Sequence, residues 1–424
     1  MQIFRFPSRD EWKNIVLRPA MDYSGLYAIV EEVMNEVSRK GDKAVFDYGA
    51  RFDKVRLQRL EVTEQEIAEA ETLVSDELKT AIRAASSHIE TFHRLQSLTP
   101  RKVEPVPGVV CWQKAVAIDK IGLYVPGGTA PLFSTVLMLA VPAQIAGCRE
   151  IVLCTPPSHD GKIHPAILFA AREAGVHKIF KIGGIQAIAA MTFGTESVPN
   201  VYKIFGPGNQ YVTAAKQWVS LHGVAIDMPA GPSEVEVIAD ASANPAFVAS
   251  DLLSQAEHGG DSQSVLVTTC EELSEKTLVE TEKQTAVLPR RETIAKALTD
   301  SRVVILRNDT EIVDFTNLYA PEHLIIETEN HAELAERIIH AGSVFLGHYT
   351  PESAGDYASG TNHTLPTNGF AKMYSGVNLD SFVKKITFQE ISREGIRRIG
   401  HTIEVMAQAE SMHAHSNAVK LRMM

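Results

Sequence analysis

At 424 residues the chain is too long for a single hydrophobic core and long enough for two or more domains. Its 45% hydrophobic and 22% charged content is ordinary for a soluble globular protein, and a formal net charge of −11 argues against a nucleic-acid partner, which would want a basic face. No signal-like run opens the sequence, and the longest apolar stretch, VLMLAVPAQIAG, is too short for a bilayer and carries a proline. A cytoplasmic chain with no membrane partner is therefore expected.

The rhythm changes along the chain. Residues 24–96 read as helical, with Ile29, Val30, Val33, Met34 and Val37 on the 3.6-residue period and a capping box of Thr63 and Glu66 ahead of Ile67. The Pro-rich stretch TPRKVEPVPG breaks that pattern near residues 99–108. From Ile121 strands IGLYV, EIVLC, HKIFKI, VYKIF and GVAIDM alternate with helices near 134–147, 165–175, 185–193 and 209–220. A second array follows, EVEVIAD, SVLVTT, RVVILR, HLIIET and SVFLG, again with helical segments between. The predicted fold is α/β, with two Rossmann-like βα arrays whose parallel sheets are flanked by helices, and helical N- and C-terminal extensions. The tail reads as helical from about Thr387, striped by Ile391, Ile396, Ile399, Ile403 and Met406.

Three Gly-rich turns, LYVPGGTAPL, KIGGIQA and FGPGNQY, each follow a strand and precede a helix. Such turns lie at the carboxyl ends of strands, where open sheets bind ligands and helix N-termini favour anions. None matches GxGxxG, so the standard dinucleotide fingerprint is absent. Polar residues also crowd LLSQAEHGGDSQ, where Gln255 and His258 stand three apart on one helical face. An imidazole and an amide oxygen can serve a metal there. The plainer reading is a helix C-cap with Gly259 in the left-handed conformation. In YAPEHLII, Glu322 and His323 precede an apolar strand; an acid beside an imidazole suits general base work, and a solvated loop is the alternative. Asp356 and His363 lie in the long loop ESAGDYASGTNHTLPTNG, and Glu410, His413 and His415 lie near the end of the chain. A Gln, His and Asp donor set without thiolate suits Zn²⁺, although spacing alone does not show that these clusters converge. The four cysteines, Cys111, Cys148, Cys154 and Cys270, show no CxxC spacing and read as reduced thiols.

These motifs together, with IGLYVPGGTAPLFSTVLMLAVPAQIAGC, IFGPGNQYVTAAK, AIDMPAGPSEV, SQAEHGGDSQS, APEHL and GDYASGTNHTLPT, resemble the histidinol dehydrogenase family from about residue 20 to the C-terminus. The resemblance implies oxidation of L-histidinol through L-histidinaldehyde to L-histidine, with NAD as acceptor and one Zn²⁺ per subunit. It implies Gln255, His258, Asp356 and His415 as zinc ligands and Glu322 and His323 as the catalytic pair. Ser233, Gln255, His258, His323, Asp356, His363, Glu410 and His415 match substrate-binding positions, and Tyr124, Gln186 and Asn209 match NAD-contacting ones. It further implies four parts: an N-terminal extension, 1–17; a catalytic and zinc-binding α/β domain, 18–123 and 233–377; an NAD-binding α/β domain, 124–232; and a helical dimerisation tail, 378–424. In the implied homodimer, Glu410 and His415 complete the partner's site. The missing GxGxxG is a family trait.

The departures are local. Met412-His413 stands where the family usually shows Leu-Asp, which makes His413 a rival to His415. Glu236 stands where an aliphatic residue is usual, and Asn368 where an aromatic one is common. Two other readings compete with the implied one: a thiol-dependent aldehyde dehydrogenase using Cys148 or Cys154, and a zinc hydrolase in which Glu322 activates metal-bound water, or a non-catalytic relative that only binds ligand.

Overall fold

Two parallel sheets account for the alternating rhythm. The structure, a computed structural model, describes residues 1–18, 25–127, 130–229 and 231–424. Its strands, in chain order, are β1 (Gln2–Arg5), β2 (Lys102–Val106), β3 (Val109–Ala117), β4 (Lys120–Tyr124), β5 (Glu150–Thr155), β6 (Lys178–Lys181), β7 (Lys203–Phe205), β8 (Ala225–Ile226), β9 (Glu234–Ala239), β10 (Gln263–Thr268), β11 (Arg302–Ile305), β12 (His323–Glu327), β13 (Ser343–Leu346) and β14 (Val383–Ile391). One sheet runs β6-β5-β4-β7-β8 and the other β1-β11-β10-β9-β12-β13. Numbered within its own array, each reads 3-2-1-4-5, and β1 adds an edge to the second. The two arrays thus share one architecture without letter-for-letter repetition. Their central strands are covered on both faces, so they read as apolar runs rather than as alternation.

The helices fill the space between by the same logic. Phe133–Ala146 is buried over most of its length and packs between sheet and N-terminal helices. In the N-terminal region, Leu26–Lys40 buries Val30, Val33, Met34 and Val37 on one stripe. Thr63 caps Glu64–Leu73, its hydroxyl accepting from Glu66 N at 3.2 Å while the Glu66 carboxylate reaches back to Thr63 N at 2.8 Å. Among the described residues no helix is long and apolar enough to cross a membrane.

Two stretches differ from the sequence expectation. Residues 383–391 are a strand, not the start of the tail helix, which begins at Arg393. β14 pairs antiparallel with β3, Phe388 opposite Trp112, and those rings stack 5.3 Å apart. The Pro-rich break also hides the β2–β3 hairpin, whose register shifts between Val103 and Val106. Pro105 lies in β2, the edge of that sheet, where a missing N–H is tolerated.

Glu236 departs from the apolar pattern of β9 and is fully buried. One carboxyl oxygen accepts from Thr316 Oγ1 and the other has no partner. Burial pushes its pKa from 4.5 up to about 8, against Thr316 and Arg18. A carboxyl whose folded pKa is raised stabilises the fold fully below its unfolded pKa and loses that contribution as pH rises through the folded value. Glu236→Gln is therefore expected to stabilise the protein at pH 8, by on the order of 2–4 kcal/mol, and to change little at pH 4.5. Denaturant titrations at both pH values check this; equal shifts would contradict it.

Candidate active site

Segments distant in sequence meet at the amino-terminal edge of the six-stranded sheet, where β9 and β12 begin. His323 is the first residue of β12, and its register partner on β9 is Val235. The backbone of Glu234 ties the site together. Its N–H donates to Glu322 Oε2 at 2.9 Å, and its carbonyl lies 3.3 Å from His323 Nδ1. The orientation of Gln255 that satisfies its amide has Nε2 donating to the same carbonyl at 3.3 Å and to Glu352 Oε1 at 3.0 Å. That commits the amide nitrogen and leaves the oxygen as a donor to a ligand. Beneath, the Glu234 side chain forms a two-pronged ion pair with Arg18, both contacts 2.8 Å, and Arg18 stacks on the Tyr319 ring at 3.8 Å.

Gln255 lies in the last turn of helix Pro245–Ala256, and His258 in the turn just after it. The C-cap is Glu257 in a right-handed conformation, and Gly259 has no positive φ, so the expected left-handed cap is not formed. The chain instead turns through His258 N to Gln255 O, 3.2 Å, and Ser262 N to Gly259 O, 3.1 Å.

Asp356 comes from the short helix Glu352–Tyr357, and its carboxylate lies 3.7 Å from His323 Nε2. Donor atoms of His258, Glu352 and Asp356 lie within 4.8 Å of one another. His363 lies beside them, Nδ1 3.1 Å from Asp356 O and Nε2 3.1 Å from Thr135 Oγ1. Thr135 belongs to Phe133–Ala146, so His363 links this cluster to the first βα array. Ser233, immediately before β9, accepts Gln263 N through its carbonyl at 3.1 Å.

Glu352 escaped the sequence reading. It is fully buried and stands four residues before Asp356 on one helical face. That i, i+4 pair of acids behind a proline was the available signal.

Burial and mutual charge set the proton affinities. Burial raises Glu322 to about 8, with His323 and the bond from Glu234 N opposing. For His323 burial alone would lower the pKa, but Glu352, Glu322 and Asp356 outweigh it and lift it to about 10. The neutral imidazole wanted of a base is therefore not the state these carboxylates favour by themselves. His258 keeps an exposed face, yet lost hydration on the other lowers its pKa against the pull of Asp356. His363 is also lowered, first by burial. For Asp356 burial would raise the pKa, but His323, His363 and His258 prevail and lower it.

The donor chemistry fits a borderline metal ion. One imidazole held toward neutrality and two carboxyl groups converge, with the Gln255 amide against Glu352 and no thiolate. Among the described residues this is the single such grouping, and it does not include His415. Glu410 and His415 lie exposed on the tail, His415 in the helix His413–Met423. His413 is exposed in the same turn, and residues two apart face different sides of a helix.

Tyr124, Gln186 and Asn209 line a separate cavity of about 890 Å³ at the carboxyl ends of β4 and its neighbours. Strand order reverses between β4 and β7, the place where open sheets bind nucleotides. Tyr124 ends β4, and its hydroxyl accepts from Gly184 N at 3.1 Å. Gln186 Nε2 donates to Asp53 at 3.0 Å, while its buried oxygen has no partner. Asn209 caps helix Gln210–Ser220. Gly206 is obligatory, since at φ +122° an added Cβ would stand 2.0 Å from Tyr124 O. Of the first Gly-rich turn, Gly128 and Thr129 fall outside the described residues.

Neither cysteine of the thiol alternative is poised to react. Burial pushes Cys148 up to about 12 and raises Cys154 further, and neither lies in the cluster.

A family model described as histidinol dehydrogenase matches residues 16–423. A histidinol dehydrogenase of Bacteroides thetaiotaomicron is 64% identical over 423 residues, covering 100% of this chain and 99% of its own. That of Escherichia coli K12 is 52% identical, covering 97% of this chain and 95% of its own. The crystal structure of histidinol dehydrogenase from Elizabethkingia anophelis superposes with a TM-score of 0.98 at 55% identity, covering 100% and 98% of the two chains. An acetylating aldehyde dehydrogenase from Geobacillus thermoglucosidasius, 15% identical with a TM-score of 0.50, is alike in fold alone; its alignment covers 90% of this chain and 94% of that one.

Proposed function

The chain belongs to the histidinol dehydrogenase family and is an NAD-dependent oxidoreductase of histidine biosynthesis; from that premise we propose that it oxidises L-histidinol through L-histidinaldehyde to L-histidine at the cluster around Glu322 and His323. The observation carrying this reading is the buried acid–imidazole pair, Glu322 Oε2 3.6 Å from His323 Nδ1, beside a cluster able to hold a metal.

In this reading Gln255, His258 and Asp356 hold Zn²⁺, with Glu352 orienting the Gln255 amide, and His415 of the partner subunit supplies the fourth donor. Bound there, zinc would anchor the substrate's nitrogen atoms and leave the electrons to NAD, since it has no redox chemistry. Ser233 and His363, together with Glu410 of the partner subunit, hold the substrate. Tyr124, Gln186 and Asn209 hold NAD in the cavity at the ends of β4 and β7. His323 takes the alcohol proton as hydride leaves carbon. Glu322, in its ionised form, then takes a proton from the water that attacks the aldehyde, and a second hydride follows; burial, which raises its pKa to about 8, makes it the stronger base. The domain limits given above and a cytoplasmic location belong to the same reading.

A homodimer with shared sites is supported by the tail. The helices Arg393–Ala409 and His413–Met423 pack on each other, Met423 against Gly400, and leave Val405, Met406, Met412 and Leu421 exposed. An apolar face so presented suits a neighbouring subunit.

The test is NADH formation from histidinol and, separately, from the aldehyde. Glu322→Gln is expected to slow the aldehyde step about 10²–10⁴-fold while sparing the alcohol step, and His323→Asn the reverse. Equal losses in both half-reactions for both variants would contradict the division of labour.

A further inference from the structure

In an open sheet of this strand order, an acidic residue at the carboxyl end of the second strand usually meets the adenosine ribose of a dinucleotide. The second strand of the five-stranded sheet, β5, ends at Thr155 and runs into Pro156-Pro157-Ser158-His159, with no carboxylate. The first acid on that loop, Asp160, is exposed and accepts Lys162 N at 3.0 Å.

A carboxylate nevertheless stands beside the end of β5, delivered from another part of the chain. Asp53 closes a single π-helical turn, Gly49–Asp53, after which Lys54 takes a left-handed conformation at φ 60°. Such turns often mark functional positions. A Cβ on Gly183 would meet Pro156 Cβ at 2.6 Å and Asp53 Oδ1 at 3.1 Å, so the proline that follows β5 and the Asp53 carboxylate border one point. Gln186 Nε2 holds Asp53 Oδ2 at 3.0 Å, and Asp53 lines the cavity with Tyr124 and Asn209. Arg51 and Lys54 line it too.

We propose that Asp53 selects NAD over NADP: its carboxylate accepts from the adenosine ribose hydroxyls and repels a 2′-phosphate. This rests on the reading that the cavity holds NAD. Gln186 fixes the carboxylate through its amide nitrogen. With the Asp53 charge removed, Lys54 and Arg51, the latter exposed and only 3.6 Å from Glu32, would make that wall more positive and more receptive to a phosphate.

The experiment uses full-length Asp53→Asn and Asp53→Ser enzyme, titrated with NAD, NADP and adenosine 2′,5′-bisphosphate by calorimetry, with kcat/KM for both dinucleotides. A lost hydrogen bond to a charged group predicts NAD affinity about tenfold to a hundredfold weaker. NADP and the bisphosphate should bind more tightly, while zinc content and histidinol KM stay unchanged. Asp160→Asn should leave the preference as it is. Ser158→Trp, which places bulk on the exposed rim of the cavity, separates two ways of failing. If it weakens NAD while both Asp53 variants keep the original preference, the selecting role of Asp53 is overturned. If neither it nor the Asp53 variants alter NAD affinity, the cavity is not the cofactor site, and both readings fall.

Discussion

Removing the metal is expected to abolish histidinol oxidation, and zinc is expected to restore it. The grouped donors of His258, Glu352 and Asp356 motivate this, with the Gln255 oxygen left available beside them. Two losses combine. The substrate loses its anchor, and the Asp356 carboxylate, 3.7 Å from His323 Nε2, is left to the surrounding imidazoles alone. Glu352, Glu322 and Asp356 then hold His323 up to about 10 despite its burial. The more the ring is held protonated, the less of it is free to take the alcohol proton. A divalent cation on Asp356 offsets that charge and lets burial favour the neutral ring. His258→Ala should reproduce the chelated state, with zinc content reduced and turnover down by roughly 10³-fold or more. Elemental analysis beside an NADH assay measures both. Full turnover in protein shown to hold no metal would end the proposal.

The two arrays were legible in the sequence because parallel strands buried on both faces leave unbroken apolar runs such as VVIL and HLII. Gly-rich turns after β4, β6 and β7 marked where strand gave way to helix. β14 was not legible for the opposite reason. It lies on a three-stranded antiparallel sheet with most of its residues exposed, so no buried face imposed a pattern, and its Ile391 joined the helical stripe by accident of spacing.

Residues that could be read from local chemistry, Gln255, His258, Glu322, His323 and Asp356, are the ones the fold gathers in one subunit. Glu352 was hidden because a buried acid resembles a solvated one until its surroundings are known. Asp53 was hidden because the usual place for such an acid is the end of β5, and here it arrives from a turn about a hundred residues earlier. For His415, local sequence gives no measure of distance to the other ligands. The structure groups His258 with Glu352 and Asp356 separately from His415, and the tail helix Arg393–Ala409 packs against its neighbour His413–Met423 and against β2 and β14.

That separation makes a mixed dimer the decisive experiment. A His415→Ala subunit and a Glu322→Ala subunit are each expected to be inactive as homodimers in converting histidinol to histidine, the first for want of a ligand and the second for want of the base acting on water. If the tail completes the partner's site, one site of the mixed dimer collects both defects and the other collects neither. Random pairing makes half the dimers mixed, each with one sound site, so activity should recover to about a quarter of wild type. If the tail folds back onto its own subunit, every site carries one defect and the mixture stays inactive. Both substitutions leave the exposed apolar residues Val405, Met406, Met412 and Leu421 in place, so dimer exchange should persist and can be followed by tagging one subunit. An inactive mixture with exchange confirmed would sink the shared-site arrangement. His413→Ala in place of His415→Ala tells the two histidines apart: if His415 is the ligand, the His413 homodimer should remain active on its own, since the two rings leave the helix on different sides.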